Sequence, residues 1–447
     1  MTKQLAQLAL GGWCVSFALQ AADAPVSYLK DIEPVLKKNC LGCHMPSNKQ
    51  SGLLLTSYAD FQKGGTKGPA FTSVVGYLTG ERQPRMPFGG KPIADETVNL
   101  FKRWIAEGAK DDTSSVGAQA HVVAKPPAVY AAAPPVMATA FSPDGKLFAV
   151  GGYREILLHE YGGKLLARLA GESMRIHSLA FSPDGKLLAA VGGDPAVSGE
   201  LQIWDVAARK QTASVVGSND TFFGVSFSPD GSKIAFAGAD KSIRLYDAAS
   251  GKEIRKMDHH EEWVFATVFG VDGKRLVSVG RDRAAKLTEV ETGRFIENIN
   301  LLKEPLTAVA RHPKKDWIAI GGQERIPYLY KMDRPRAMRI ADDSTLIRKF
   351  EKQDGPILSL AISPDGQHLA VSAEVGPVRI YNLETGDLEA KCAGHEGAVY
   401  SLVFHPGSKE LLTAGFDGMV RSYDLGGKML KAFAPVPLEK PIVARNE

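Results

Sequence analysis

Cys40, Cys43 and His44 stand together in the run Asn39-Cys40-Leu41-Gly42-Cys43-His44-Met45-Pro46. Two thiols and an adjacent imidazole can serve three kinds of chemistry. A dithiol can exchange electrons, but that use wants a βαβ setting, and the flanking sequence reads as helical. A zinc site wants a second pair of nitrogen or sulfur ligands, which Cys392 cannot supply. Attachment of a c-type haem needs these residues in this order: two thiolates add to the porphyrin vinyl groups and the next histidine lies under the iron. The expectation is one covalently attached haem c, held by thioethers at Cys40 and Cys43, with His44 as proximal ligand.

A six-coordinate iron needs a distal ligand. Met45 follows His44 directly and cannot turn back to the opposite haem face. Met86 sits in Pro84-Arg85-Met86-Pro87-Phe88-Gly89-Gly90, where prolines on both sides stiffen the loop. No histidine lies between His44 and His121, so Met86 is the expected distal ligand.

Two helical patterns would position these groups. Leu29 to Leu41 carries Ile32, Val35 and Leu36 on one side, with Pro34 in the opening turn, and delivers Cys40 at its end. Asp95 to Glu107 has Val98, Phe101, Trp104 and Ile105 at helical spacing, Asp95 as a cap and Gly108 as the stop. Between them the pairs Gly64-Gly65, Gly68-Pro69 and Gly89-Gly90 interrupt regular structure.

Ile32-Glu33-Pro34-Val35-Leu36, the Cys40 to His44 motif, Met86-Pro87 and Trp104-Ile105-Ala106-Glu107-Gly108-Ala109 together resemble the small class I cytochrome c domains, in particular the planctomycete cytochrome C type. The resemblance covers about Val26 to Lys110. It implies thioethers at Cys40 and Cys43, iron ligation by His44 and Met86, and a comparatively high potential, since a thioether favours ferrous iron. Phe88 stands where that family often has a second proline.

The chain opens with Lys3, an almost uncharged run from Leu5 to Leu19 and the small residues Ala21, Ala22 and Ala24, which predicts a signal peptide over residues 1–24. That run is too short to span a bilayer comfortably and no later stretch reaches spanning length, so the mature chain is expected to be periplasmic without a transmembrane span. A tether through an uncleaved signal is the lesser alternative. With Cys14 in the signal, the mature chain keeps three cysteines, which excludes a disulfide framework. A formal charge of +4 over 447 residues gives no reason to expect nucleic acid as a partner.

Residues 111–135, rich in Ala and Pro, read as a semi-extended linker. Beyond it FSPDGK occurs at Phe141 and Phe181, FSPDGS at Phe227, FGVDGK at Phe269 and ISPDGQ at Ile362, with worn copies at Arg311 and Phe404. Taking Asp144 as the mark, the equivalents are Asp184, Asp230, Asp272, Lys314, Asp365 and Gly407, at intervals of 40, 46, 42, 42, 51 and 42. Seven units of this period predict four-stranded propeller blades. Asp-Gly between apolar runs is a hairpin turn because glycine accepts positive φ.

The third runs end in Ile203-Trp204-Asp205, Leu245-Tyr246-Asp247 and similar triplets, and residues 135–436 resemble the WD40 family. In the last unit Gly394-His395, Ser401, Asp417 and Tyr423 resemble that family's hydrogen-bonded set. His312 and His405 take the serine place of SPDG and imply a turn role, and Cys392 reads as an inert core thiol. Insertions at 194–200 and 332–349 enlarge two units, the second bearing Arg334, Arg336, Arg339, Arg348 and Lys349. That basic loop could steer an acidic partner or be a solvated surface.

The expected fold is multidomain: a small all-α cytochrome c domain at 25–110, the linker, an all-β seven-bladed WD40-like propeller at 136–436 and a tail at 437–447. The expected function is electron transfer, with the propeller docking redox partner proteins, rather than enzymatic. The alternative is a haem-fed oxidoreductase whose propeller holds a second cofactor or substrate; a blade count of seven and only three propeller tryptophans argue against it.

Overall fold

A computed structural model of the chain describes residues 25–40, 43–45, 48–55, 57–112, 126–332 and 343–439. The signal peptide expected at 1–24, most of the expected linker, Arg334, Arg336 and Arg339 of the basic insertion and the last residues of the tail lie outside them. The chain divides into two compact units, Met1–Val122 and Val123–Glu447.

In the first unit a π-helical turn, Tyr28–Ile32, is capped by Ser27, whose hydroxyl accepts the Lys30 N–H at 2.9 Å. It runs into α1 (Glu33–Asn39), with Pro34 in the first turn, where a missing N–H leaves no bond unmade. Two short helices follow, α2 (Tyr58–Lys63) and α3 (Val74–Thr79), then α4 (Asp95–Ala106). Asp95 is the first residue of α4 rather than its cap; Ala94 holds that place without a side-chain bond. Gly108 ends the helix at φ +95°, a conformation that suits a residue without Cβ, and its N–H donates to Ile105 O. Val98, Phe101 and Trp104 face inward from α4. Trp104 is fully buried, with the rings of Tyr28 and Phe61 each 5.6 Å from its own.

The second unit is built of antiparallel hairpins. Five four-stranded sheets span 222–257, 264–298, 306–349, 357–392 and 399–433, and one seven-stranded sheet spans 139–218. The Ser-Pro-Asp-Gly turns explain the repetition. In the first, Ser142 donates to Asp144 Oδ1 at 2.6 Å, the Lys146 N–H donates to the same oxygen, and Gly145 takes φ +71°. His312 and His405 close the worn copies with different bonds: His312 Nδ1 accepts the Lys315 N–H at 2.8 Å and His405 Nδ1 accepts the Gly407 N–H at 3.0 Å. The first strand of each four-stranded sheet packs on that of the next, Phe222–Phe227 packs on Leu165–Phe181 of the seven-stranded sheet, and Val399–Phe404 packs on Thr139–Phe141. Met429–Phe433 completes the last sheet, while Tyr130 makes a parallel bridge with Leu438.

The expected fold class is overturned. Strands dominate, in six blade sheets among the described residues rather than seven, because Leu165–Phe181 is one continuous 17-residue strand. It pairs with Tyr153–Glu160 on one side and Leu187–Asp194 on the other, fusing the first two repeats into one sheet. The helices are small, 6 to 12 residues, and are joined by 3-10 turns and a two-stranded ladder at His44–Met45 and Asn48–Lys49. No all-α cytochrome c domain is evident, and the multidomain description of the chain does not stand.

Candidate functional site

Cys40 caps the C-terminal end of α1, its N–H bonded to Leu36 O. Its own carbonyl then accepts the Cys43 N–H at 3.2 Å and the His44 N–H at 3.1 Å, so one tight turn brings the three residues together. The segment continues into the short ladder, where Gln50 N–H donates to Cys43 O and Leu55 N–H to His44 O. Cys40 is half-buried, Cys43 is exposed, and neither is in a disulfide. Burial pushes the Cys40 thiol up to about 11, with the neighbouring Cys43 adding to it. A reactive dithiol needs the opposite shift, towards thiolate.

His44 is buried at 7% exposure, and its Nδ1 has no hydrogen-bond partner among the described residues. Leaving such an atom unsatisfied costs about 1–3 kcal/mol. Met86 follows a turn off α3, its N–H donating to Tyr77 O at 2.9 Å. Both Met86 and Cys40 pack against the core formed by Ile32, Leu36, Phe101 and Trp104. The donor set is chemically suited to a c-type haem: two free thiols, a buried imidazole with an unsatisfied nitrogen and a thioether against the same core. Among the described residues no group of three or more His, Cys, Asp and Glu side chains is arranged as a metal site.

In the second unit His395 lies 3.1 Å from Asp417 Oδ1 through Nδ1 and 2.7 Å from Thr413 Oγ1 through Nε2. The hydroxyl of this set is therefore Thr413, not Ser401, which faces the first repeat. His260 repeats the arrangement with Asp282 at 2.9 Å and Ser278 at 2.7 Å. Cys392 is buried and its thiol is pushed up to about 12, chiefly by burial, which makes it inert.

Sequence reading missed an aromatic surface. Phe223 meets His177 at 5.4 Å, Phe265 at 5.4 Å and Trp263 at 5.8 Å, and the Arg281 guanidinium lies 5.3 Å over the Trp263 ring. Trp263 is 38% exposed. His177, Phe223 and Phe265 each sit where the first strand slips register against the second. A signal was present: each lies seven residues before the repeat's Asp mark.

No helix among the described residues is long and apolar enough to cross a membrane. Residues 163–205, 209–247, 344–374 and 386–424 match the family model described as WD domain, G-beta repeat. Three of these matches begin near the outermost strand of one repeat and end with the third strand of the next, which ties neighbouring repeats covalently. Among similar proteins, Protein LST8 homolog of Drosophila melanogaster is 30% identical over 123 residues, 26% of this chain and 36% of that protein. Periodic tryptophan protein 2 homolog of Dictyostelium discoideum is 29% identical over 129 residues, 28% of this chain and 13% of that one. WD repeat-containing protein 1 of Gallus gallus is 32% identical over 114 residues, 25% of this chain and 18% of that one. The chain thus spans about a third or less of the length of these relatives. The four matched stretches are similar to WD40 repeats.

Proposed function

We propose that this chain is an exported, periplasmic c-type cytochrome that carries one haem c on Cys40 and Cys43, with His44 and Met86 as axial ligands. Its WD40 repeats dock a redox partner protein, and the chain passes single electrons. The observation that carries the reading is the buried His44 imidazole with an unsatisfied nitrogen, held by one backbone turn directly after two free thiols.

Haem, when bound, supplies a one-electron iron couple whose potential depends on its axial ligands and burial. The chain's residues do the rest. Cys40 and Cys43 tether, the Cys40 carbonyl orients the His44 backbone, and Met86 offers its sulfur from a turn anchored to Tyr77. The apolar core behind Cys40 and Met86 excludes water.

Expression of the full chain in an exporting host with c-type haem maturation tests this. Haem that survives denaturing electrophoresis, at one per chain, and its loss in Cys40→Ser with Cys43→Ser are expected. A stable chain that takes up no haem sinks the reading.

A further inference from the structure

The aromatic surface of the second unit borders a cavity of about 360 Å³. Phe265 belongs to both, and Arg281, Glu304, Pro305, Thr307 and Gln323 line the rest of the cavity. The repeat explains the opening. The position seven residues before the mark carries Phe223 in the third unit, Phe265 in the fourth, Thr307 in the fifth and Leu358 in the sixth. Thr307 is small where these neighbours are large, and its hydroxyl is turned away to donate to Ile357 O in the next repeat. The strands Val264–Phe269 and Leu306–Arg311 pack on one another, so the space that Thr307 leaves lies beside Phe265.

Backbone bonds fix both walls. On one side the Arg281 N–H donates to Trp263 O at 2.8 Å, and the Trp263 ring holds the guanidinium over its face. On the other the Gln323 N–H donates to Pro305 O at 3.0 Å, which ties Gln323 to the segment that carries Glu304. Among the described residues no hydrogen bond or ion pair engages the side chains of Arg281, Glu304 or Gln323. A guanidinium and a carboxylate thus share one small cavity with an aromatic ring and are not paired with each other.

We propose that this cavity binds a free aromatic α-amino acid. The ligand's ring packs on Phe265, its carboxylate accepts from Arg281 and its ammonium donates to Glu304, with the Gln323 amide free to bond either group. Unpaired charges of both signs match a zwitterion, and the aromatic wall matches a ring. The volume lies at the small end of the range for small-molecule sites, which fits one amino acid better than a folded partner. The site is built wholly from the second unit and is independent of the haem reading.

The test is calorimetric titration of the full-length chain with L-phenylalanine and with L-tryptophan. Saturable binding is expected for at least one of them. L-leucine, hydrocinnamate and phenethylamine lack the ring, the ammonium and the carboxylate in turn, and each should bind about tenfold more weakly or worse. Arg281→Gln and Glu304→Gln, both at exposed positions, should each weaken the amino acid about tenfold. Arg281→Gln should leave the affinity for phenethylamine unchanged, and Glu304→Gln that for hydrocinnamate, which assigns each charge to its partner. Absence of heat with both amino acids up to about 10 mM overturns the proposal. So does binding that neither substitution weakens. N-acetyl-L-phenylalaninamide binding as tightly as L-phenylalanine also overturns it, since the surface then takes an aromatic side chain of a protein.

Discussion

The main-chain N–H of Thr139 donates to the Ser401 hydroxyl at 2.9 Å, and the two side-chain oxygens also lie 2.9 Å apart. These residues are 262 positions apart and join the first strand of the first repeat to that of the last. Both are buried. The bond is a clasp for the ring of sheets, so Ser401 works between repeats and not within its own.

Ser401→Ala leaves the Thr139 N–H and hydroxyl without that partner. The loss should be about 1–3 kcal/mol, read as a lower urea midpoint with an unchanged slope. An unmoved midpoint would mean that the clasp lies elsewhere along the seam.

Glu155 is fully buried and accepts from Tyr130 Oη at 2.6 Å and from Arg168 at 2.6 and 2.8 Å. Arg168 also donates to the carbonyls of Pro127 and Ala128, so this carboxylate pins the segment entering the second unit. Arg168→Ala strands the carboxylate in the interior and should cost about 3–5 kcal/mol. Glu155→Gln, which keeps the shape and an acceptor, should cost less. Thermal unfolding of the two variants checks the order.

The Asp282 carboxyl is opposed by burial, but the hydrogen bond and charge of His260 hold it at about 2. Burial in turn lowers His260 below its ordinary value, against the pull of Asp282. Both shifts make the unfolded chain bind more protons on acidification, so stability falls with pH. The His260 contribution is lost as pH drops below about 6.5, and that of Asp282 between about 4 and its folded value. Asp282→Asn should flatten the lower limb of a stability-against-pH curve; an unchanged limb would put the acid sensitivity in other carboxylates.

On the proposed reading of the first unit, Met86→Ala frees a coordination position and lowers the midpoint potential, because a thioether favours ferrous iron. His44→Ala should remove ligation while leaving haem attached through the two thioethers. Optical spectra of both oxidation states and a potentiometric titration check the pair. An identical spectrum and potential in Met86→Ala eliminates it as a ligand.

The repeats were legible because their punctuation is local. Ser-Pro-Asp-Gly folds into the same turn wherever it occurs, since the Asp carboxylate and the Ser hydroxyl close it within six residues. The same logic made His312 and His405 readable as turn residues. The fusion of the first two repeats was not legible. Gly171 reads as a break within Leu165 to Phe181, and pairing does jump there from Ala170 to Arg175, but the strand runs on because the strands either side of it hold both halves. Ser401 was misread because its neighbour Thr139 is remote in sequence, while Thr413, which His395 contacts, stands in the adjacent strand.

By itself the sequence determined the repeat spacing, the turn chemistry and the order Cys40, Cys43, His44, all of which depend on residues a few positions apart. Only the tertiary structure decided that the small helices of the first unit are joined by 3-10 turns and a two-stranded ladder, that the first two repeats share one sheet, and that the His44 nitrogen is buried without a partner among the described residues. Those outcomes rest on burial and pairing between distant segments, and a one-dimensional pattern does not specify which surface covers which.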